Sequence, residues 1–285
     1  MKKNLLLMLI LLLPVWPVQA GKIVTDSLRS EILNATVKYN VYLPDGFAEG
    51  SDRYPAVYLL HGLYGTYKDW SKQGGMKTVT DELMGTGEAC KMVIFMPNAG
   101  HPDVHNEWNG YFNMPGWSYE DFFFQEFIPA VEAKYRCIGD KGHRAIMGLS
   151  MGGGGCTVYS QRHPEMFSSC YAMSAWLDQQ VKEPEDPKDR EDKFYLTSVS
   201  VRDHSALKFV DEADEATVAA LKGVKWFVDC GDDDYLLRLN VDFYFKMRAK
   251  GIPCELRVRN GIHNWEYWHT ALRLSLPFAS RNFRR

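Results

Sequence analysis

The chain has 285 residues, of which 46% are hydrophobic and 24% are charged, and its formal net charge is −3. These values are ordinary for a globular protein with a sizeable core, and the length suits one large α/β domain or two small ones. The basic residues form no block, which argues against a nucleic-acid partner.

The N-terminus has the three parts of a secretory signal peptide. Lys2 and Lys3 precede nine apolar residues at positions 5–13, and small residues follow up to Ala20. Nine residues are too few to span a bilayer, which takes about 20 as a helix, and a buried core helix is the less favoured alternative. We therefore expect cleavage after Ala20, export of residues 21–285 to the periplasm or the extracellular space, and no membrane attachment afterwards.

Short apolar runs alternate with longer segments of helical period in the rest of the chain. Most of the short runs are continuously apolar, which is typical of strands buried on both faces of a parallel sheet. The predicted strands are 36–43, 56–60, 92–96, 144–149, 169–173, 224–228 and 255–258, and the predicted helices are 119–135, 153–162 and 236–250. This alternation predicts an α/β fold with a mostly parallel, doubly wound sheet, helices on both faces and active residues at the carboxyl ends of the strands.

The stretch 179–219 departs from this pattern, because it is highly charged and holds Pro184 and Pro187 in an acidic run. We interpret it as an insertion over the sheet edge, either a solvated excursion or a lid that shapes a substrate cleft. Since no second domain is indicated elsewhere, residues 21–285 are predicted to form a single domain.

The strongest motif is G-x-S-x-G at positions 148–152. It follows the predicted strand 144–149 and opens a glycine-rich helix start, and this context matters because the bare pattern is common by chance. In such a nucleophile elbow, the sharp turn exposes the serine Oγ above the sheet and the glycines relieve crowding between strand and helix. Ser150 is therefore the predicted nucleophile, and the α/β-hydrolase fold is the predicted architecture.

A serine hydroxyl needs a base, and the base needs an orienting acid. In this fold the acid and then the histidine follow the nucleophile along the chain. Three aspartates at 232–234 follow one predicted strand and His263 follows the next, so His263 is the predicted base and one of the aspartates is the predicted acid. The residue pattern alone does not separate Asp233 from Asp234. A solvated or metal-binding turn is the alternative for the aspartates, and a surface loop is the alternative for His263.

Acyl transfer also needs hydrogen-bond donors for the developing oxyanion. The N–H of Met151, directly after the nucleophile, is one candidate, and the second is expected in the loop after an early strand. That loop is 61–65, in which Leu63 N–H is the candidate donor and His61 is expected to support the loop from beneath.

A metal site is the weaker alternative elsewhere in the chain. His101, Asp103 and His105 could ligate a metal, but their spacing matches no strong ligand pattern. No metal and no cofactor are predicted.

Several segments together resemble the esterase D-type esterases, and the most specific of them is 144–153. The segments are 59–62 with Trp70, 119–122, 144–153, 230–234 and 261–265. That family includes carbohydrate esterase family 1 (feruloyl and acetylxylan esterases), S-formylglutathione hydrolases and mycolyltransferases, and the resemblance spans about residues 36–280. It implies that Asp234 is the acid, because in the family the acid is the last residue of a G-x-x-D segment.

Aromatic residues on loops at the predicted catalytic edge indicate the kind of substrate. Tyr64, Trp70, Trp108 and Trp265 are the predicted substrate contacts, since aromatic walls suit a sugar ring or a phenolic acyl group. The alternative is that such residues pack in the core, which is the prediction for Trp226 inside a strand.

The predicted function is hydrolysis of feruloyl or acetyl esters on plant polysaccharide, with an acylated carbohydrate or another small ester as partner. Export argues against an S-formylglutathione hydrolase, whose thioester is cytosolic, and no long apolar groove is indicated for a mycolyltransferase. A non-catalytic carbohydrate-binding relative that keeps the fold is the alternative from another class.

Overall fold

A computed structural model describes residues 20–100 and 110–284. The predicted signal peptide, apart from Ala20, lies outside the described residues. So do Trp108 and the possible metal ligands at 101–105.

Eight strands of the described residues form one central sheet, in the order β1-β2-β4-β3-β7-β8-β9-β10. The strands are β1 (Lys22–Ser30), β2 (Ala35–Leu43), β3 (Ala56–Leu60), β4 (Val93–Pro97), the short β5 (Asn113–Met114) and β6 (Trp117–Ser118) of a separate hairpin, β7 (Arg144–Leu149), β8 (Ser169–Met173), β9 (Lys225–Gly231) and β10 (Cys254–Arg259). The β1–β2 and β2–β4 pairs are antiparallel and the other pairs of the central sheet are parallel. The predicted fold class, a mostly parallel sheet, is confirmed.

Helices connect the parallel strands. They are α1 (Asp69–Lys72), α2 (Met76–Gly85), α3 (Tyr119–Phe122), α4 (Ile128–Lys134), α5 (Met151–Arg162), α6 (Lys193–Asp203), α7 (Ala206–Glu212), α8 (Glu215–Leu221), α9 (Leu237–Ala249) and α10 (Trp265–Asn282), with short 3₁₀ turns at Lys141–His143 and Pro187–Glu191. Within residues 20–100 and 110–284, no helix combines the length and the apolar character that crossing a membrane requires.

The sheet separates two hydrophobic layers, and β3 shows how the sequence builds both. All five of its residues are buried. Because successive side chains of a strand point to opposite faces, Tyr58 and Leu60 join the layer that includes residues of α5 and α9, while Val57 and Leu59 join the layer that includes residues of α2 and α10. The continuous apolar run therefore does mean burial on both faces.

The differences from the expected elements include an edge strand and an interrupted helix. The edge strand β1 was not predicted, because its sequence KIVTDSLRS has few apolar residues and an exposed edge strand needs few. The expected helix 119–135 is interrupted by a π turn at Phe123–Phe127, which ends two residues before Pro129. Proline donates no backbone hydrogen bond and crowds the preceding turn, so a wider turn at this point relieves the helix.

The charged stretch 179–219 holds a 3₁₀ turn and the helices α6, α7 and most of α8. Val201, Ala206 and Val210 are buried in it and belong to the same core layer as α5 and α9. Its second half is therefore packed against the domain and is not a solvated excursion.

A buried ion pair ties α4 to β7, the strand that ends directly before Ser150. Glu132 accepts hydrogen bonds from Arg144 Nε at 2.7 Å, from Arg144 Nη2 at 2.9 Å and from the Tyr58 hydroxyl at 3.0 Å. Both charged residues are buried, so water cannot solvate the charge of one residue if the other is removed.

We predict that Arg144→Met lowers the free energy of unfolding by about 3–5 kcal/mol, because Glu132 is then an uncompensated buried charge. Urea denaturation of purified protein measures it. The control is Arg281→Met, whose ion pair with Glu255 is exposed at 3.7 Å and should contribute about 0–1 kcal/mol. Equal losses in the two variants would contradict the prediction.

Candidate active site

Ser150 occupies a tight turn between β7 and α5. Its φ of 54° and ψ of −119° are costly for a residue with a side chain, by about 1–3 kcal/mol. The backbone on both sides holds it there, since Ser150 N–H donates to the Met173 carbonyl at 2.9 Å and its own carbonyl accepts from the N–H of Gly154 at 3.0 Å and Trp176 at 2.9 Å. The side chain is 8% exposed.

The glycines of the motif are required by close backbone contacts. A Cβ on Gly148 would lie 2.3 Å from the Gly152 carbonyl oxygen, and a Cβ on Gly152 would lie 2.4 Å from that of His61. Real side chains do not tolerate such distances, so these two positions let β7, α5 and the loop after β3 converge at Ser150.

His263 and Asp234 form a hydrogen-bonded chain with Ser150. His263 Nε2 lies 2.9 Å from Ser150 Oγ, and His263 Nδ1 lies 2.8 Å from Asp234 Oδ2 and 3.0 Å from Oδ1. The structure thus brings together the predicted nucleophile, base and acid from the carboxyl ends of β7, β9 and β10.

The environment of Asp234 favours its ionised form. Burial acts to raise the pKa of this carboxyl, but hydrogen bonds from His263, Leu236 N–H and the Ser174 side chain outweigh it and leave the pKa below its ordinary value. The ionised carboxylate therefore stabilises the fold above the unfolded pKa of about 3.9, and this contribution is lost as the pH falls through the lower folded pKa.

The three adjacent aspartates have three different environments. Asp234 is buried and bonds His263, whereas Asp232 and Asp233 are exposed. Asp232 Oδ1 accepts the Gly261 N–H at 2.9 Å and so links the loop of the acid to the loop of the base. The geometry therefore separates Asp234 from Asp233, which the residue pattern could not do.

The loop 61–65 lies beside Ser150 and is supported by His61. Its ring is buried and Nε2 accepts the Ala99 N–H at 3.0 Å, so Nδ1 carries the proton and donates to the Gly62 carbonyl at 2.8 Å. Burial lowers the pKa of His61, which favours this neutral form. Because the Gly62–Leu63 peptide is trans, the Leu63 N–H points away from the imidazole.

Met151 begins α5, and first-turn N–H groups have no acceptor within their own helix. The helix dipole also favours negative charge at this end. A Cβ on Gly62 would lie 3.6 Å from Ser150 Cβ, so the loop with Leu63 and the start of α5 both lie next to Ser150.

The predicted aromatic contacts are not all at the surface. Tyr64 is 46% exposed, and Trp265 is half-buried at the first turn of α10. Trp70 is 1% exposed, its Nε1 donates to the Leu60 carbonyl at 3.0 Å, and its ring packs edge-on against Trp265. The prediction that Trp70 contacts substrate is therefore wrong, because α1 turns its indole inward. Trp226 is buried in the core as predicted.

Two aromatic neighbours of the base were not predicted. Tyr235 is 75% exposed and its ring centroid lies 4.5 Å from that of His263, and the Trp268 ring packs edge-on against the same imidazole with a centroid distance of 4.9 Å. Tyr235 follows Asp234 in the chain, so its proximity could have been inferred once the acid was assigned. Among residues 20–100 and 110–284, no group of three or more histidines, cysteines or carboxylates could hold a metal ion.

The family model described as "Putative esterase" matches residues 30–279. The chain belongs to this esterase family. The match confirms the family resemblance.

Related proteins agree with this assignment. A solved structure described as a ferulic acid esterase is 51% identical to the chain, with a TM-score of 0.87, and the match covers 93% of this chain and 100% of that one. An endo-1,4-beta-xylanase/feruloyl esterase of Xylanibacter ruminicola is 29% identical over 58% of this chain, which spans only 23% of that protein. An acetyl esterase of Caldicellulosiruptor saccharolyticus is 24% identical, and the match covers 81% of this chain and 85% of that protein.

We predict that Gly152→Ala impairs this esterase, because the new Cβ would meet the carbonyl oxygens of Leu60 and His61 at 2.7 and 2.4 Å. Separating the loop 61–65 from α5 should lower kcat/KM for p-nitrophenyl acetate about 100-fold and the free energy of unfolding by about 1–3 kcal/mol. Gly50→Ala is the matched control, since its Cβ would approach no atom closer than 3.4 Å. Full activity of the Gly152 variant would show that this contact does not shape the site.

Proposed function

We propose that the chain is an exported serine esterase that hydrolyses feruloyl or acetyl esters on plant polysaccharide. The observation that carries the mechanism is the hydrogen-bonded chain from Ser150 through His263 to Asp234. The 51% identity to a ferulic acid esterase supports the substrate class, and the N-terminal pattern that ends at Ala20 supports export.

In the proposed mechanism, Ser150 Oγ attacks the ester carbonyl carbon while His263 Nε2 takes the serine proton. Asp234 holds the imidazole in the tautomer that leaves Nε2 free to accept, and it stabilises the imidazolium that forms. The N–H groups of Leu63 and Met151 would donate to the oxyanion, each worth about 3 kcal/mol in the transition state.

The tetrahedral intermediate then collapses. The bond between the carbonyl carbon and the alcohol oxygen breaks, and His263 transfers its proton to that oxygen. Water next attacks the acyl-enzyme, with His263 again as base, and releases the acid and free Ser150. These steps need no metal or cofactor.

We expect alanine variants of Ser150, Asp234 and Asp233 to test the assignment of roles. Ser150→Ala should lower kcat about 10⁶-fold and Asp234→Ala about 10⁴-fold, by analogy with other serine hydrolases. Asp233→Ala should stay within about twofold, because its carboxylate is exposed and only its backbone bonds Gly261. Steady-state hydrolysis of p-nitrophenyl acetate measures all three, and equal losses at Asp233 and Asp234 would refute the acid's assignment.

The acyl group is tested by comparing two esters. We expect purified residues 21–285 to hydrolyse methyl ferulate, with release of ferulate followed by chromatography, and Ser150→Ala to abolish it. Turnover of p-nitrophenyl acetate alone would move the substrate to small acyl groups, such as the acetyl group named for the Caldicellulosiruptor relative. Absence of Ser150-dependent turnover with either ester would favour the non-catalytic binding alternative.

A further inference from the structure

An exposed aromatic ring stands beside the proposed base. Six large hydrophobic side chains of the described residues are exposed, namely Tyr64, Phe194, Tyr235, Phe245, Val258 and Ile262. Tyr235 is the most exposed of them at 75%, and Ile262 is 52% exposed. The Tyr235 ring lies beside the His263 ring, and Ile262 directly precedes His263 in the chain. Apolar surface at this point therefore borders the reacting atoms.

The backbone explains why Tyr235 cannot turn inward. Its two neighbours are both buried, since Asp234 bonds His263 and the Leu236 N–H donates to Asp234 Oδ1 at 2.8 Å. Leu236 itself belongs to the core layer of α9. With both neighbours facing inward, the Tyr235 ring extends over the surface and lies tilted by 44° against the imidazole of His263.

The chemistry determines which part of an ester passes this ring. His263 gives its proton to the leaving alcohol oxygen, so that oxygen must come within hydrogen-bond distance of His263 Nε2. The carbonyl oxygen faces the other way, towards the loop with Leu63 and the start of α5. The alcohol half of the ester therefore leaves the site on the side of His263, where the Tyr235 ring centroid is 4.5 Å from that of the imidazole.

We propose that Tyr235 is the platform of a subsite for the alcohol half of the substrate, and that this half is a sugar ring. The inference rests on the proposed esterase mechanism and deepens it. An exposed tyrosine offers a flat apolar face to the C–H groups of a pentose or hexose and a hydroxyl to its polar edge. Ile262 borders the same subsite with an apolar side chain.

The test compares two esters of the same acid with different alcohols. Methyl ferulate releases methanol, which is too small to reach Tyr235, whereas feruloyl arabinose releases a pentose. Tyr235→Ala should lower kcat/KM for feruloyl arabinose about fivefold more than for methyl ferulate, and the difference should lie in KM. Tyr235→Phe keeps the ring and should restore most of the preference.

Phe245→Ala is the matched control, because Phe245 is an aromatic residue on α9 that is 62% exposed and lies outside the proposed subsite. It should leave the ratio of the two kcat/KM values at its original value. If Tyr235→Ala lowers kcat equally for both esters, or shifts the pH profile of both, the ring merely supports His263 and the subsite is refuted. An unchanged ratio in Tyr235→Ala refutes it as well.

Failure of the subsite and failure of the proposed function have different signatures. If the unaltered enzyme hydrolyses neither feruloyl ester, the feruloyl assignment is wrong, and the same ratio is measured with methyl acetate and acetylated xylose. A sugar preference that Tyr235→Ala removes in that pair supports the subsite independently of the acyl group. Equal ratios in Tyr235→Ala and the unaltered enzyme would refute the subsite for this pair of acetyl esters as well.

Discussion

The backbone turn at Ser150 is the constraint on which the rest of the site depends. Two backbone hydrogen bonds maintain its positive φ. The Ser150 N–H donates to the carbonyl of Met173, the last residue of β8, and the Ser150 carbonyl accepts from the N–H of Trp176 in the segment that follows β8. A side chain on Gly152 would push the loop after β3 away from this turn. The proposed nucleophile, the proposed oxyanion donor at the start of α5 and the second proposed donor in that loop are therefore positioned by one set of backbone contacts.

The loops of the acid and the base are joined in a comparable way. A Cβ on Gly231 would lie 2.2 Å from the Gly261 carbonyl oxygen, so the end of β9 can approach the loop after β10 this closely only with a glycine at position 231. Asp232 then accepts the Gly261 N–H, and Asp233 N–H donates to the Gly261 carbonyl at 3.1 Å. The distance between Asp234 and His263 is thus fixed largely by backbone contacts between their two loops.

The sequence predicted those parts of the site that leave a local signature. The turn at Ser150 requires glycines at fixed spacing after an apolar strand, and the order of acid and base follows from the order of strands in the fold. Asp234 could not be separated from Asp233 by pattern, because the difference lies in which carboxylate faces His263 across a loop from another strand. Trp70 was misassigned for a similar reason: a tryptophan near a loop can face either side, and the carbonyl of Leu60 that accepts its indole N–H is not visible in the sequence.

A second buried carboxylate on β9 has its own set of hydrogen-bond partners. Asp229 lies on β9 five residues before Asp234 and is fully buried, yet it accepts hydrogen bonds from the hydroxyls of Tyr171 and Tyr267. Burial and the nearby Asp229 charge raise the pKa of both tyrosines, so both hydroxyls stay protonated donors, and Arg259 Nε approaches the same carboxylate at 3.5 Å. The oxygens of Asp229 therefore bind these three side chains. The negative charge of Asp229 is thus compensated locally, and in the proposed mechanism the proton moves between Ser150, His263 and the leaving alcohol while Asp234 stays ionised.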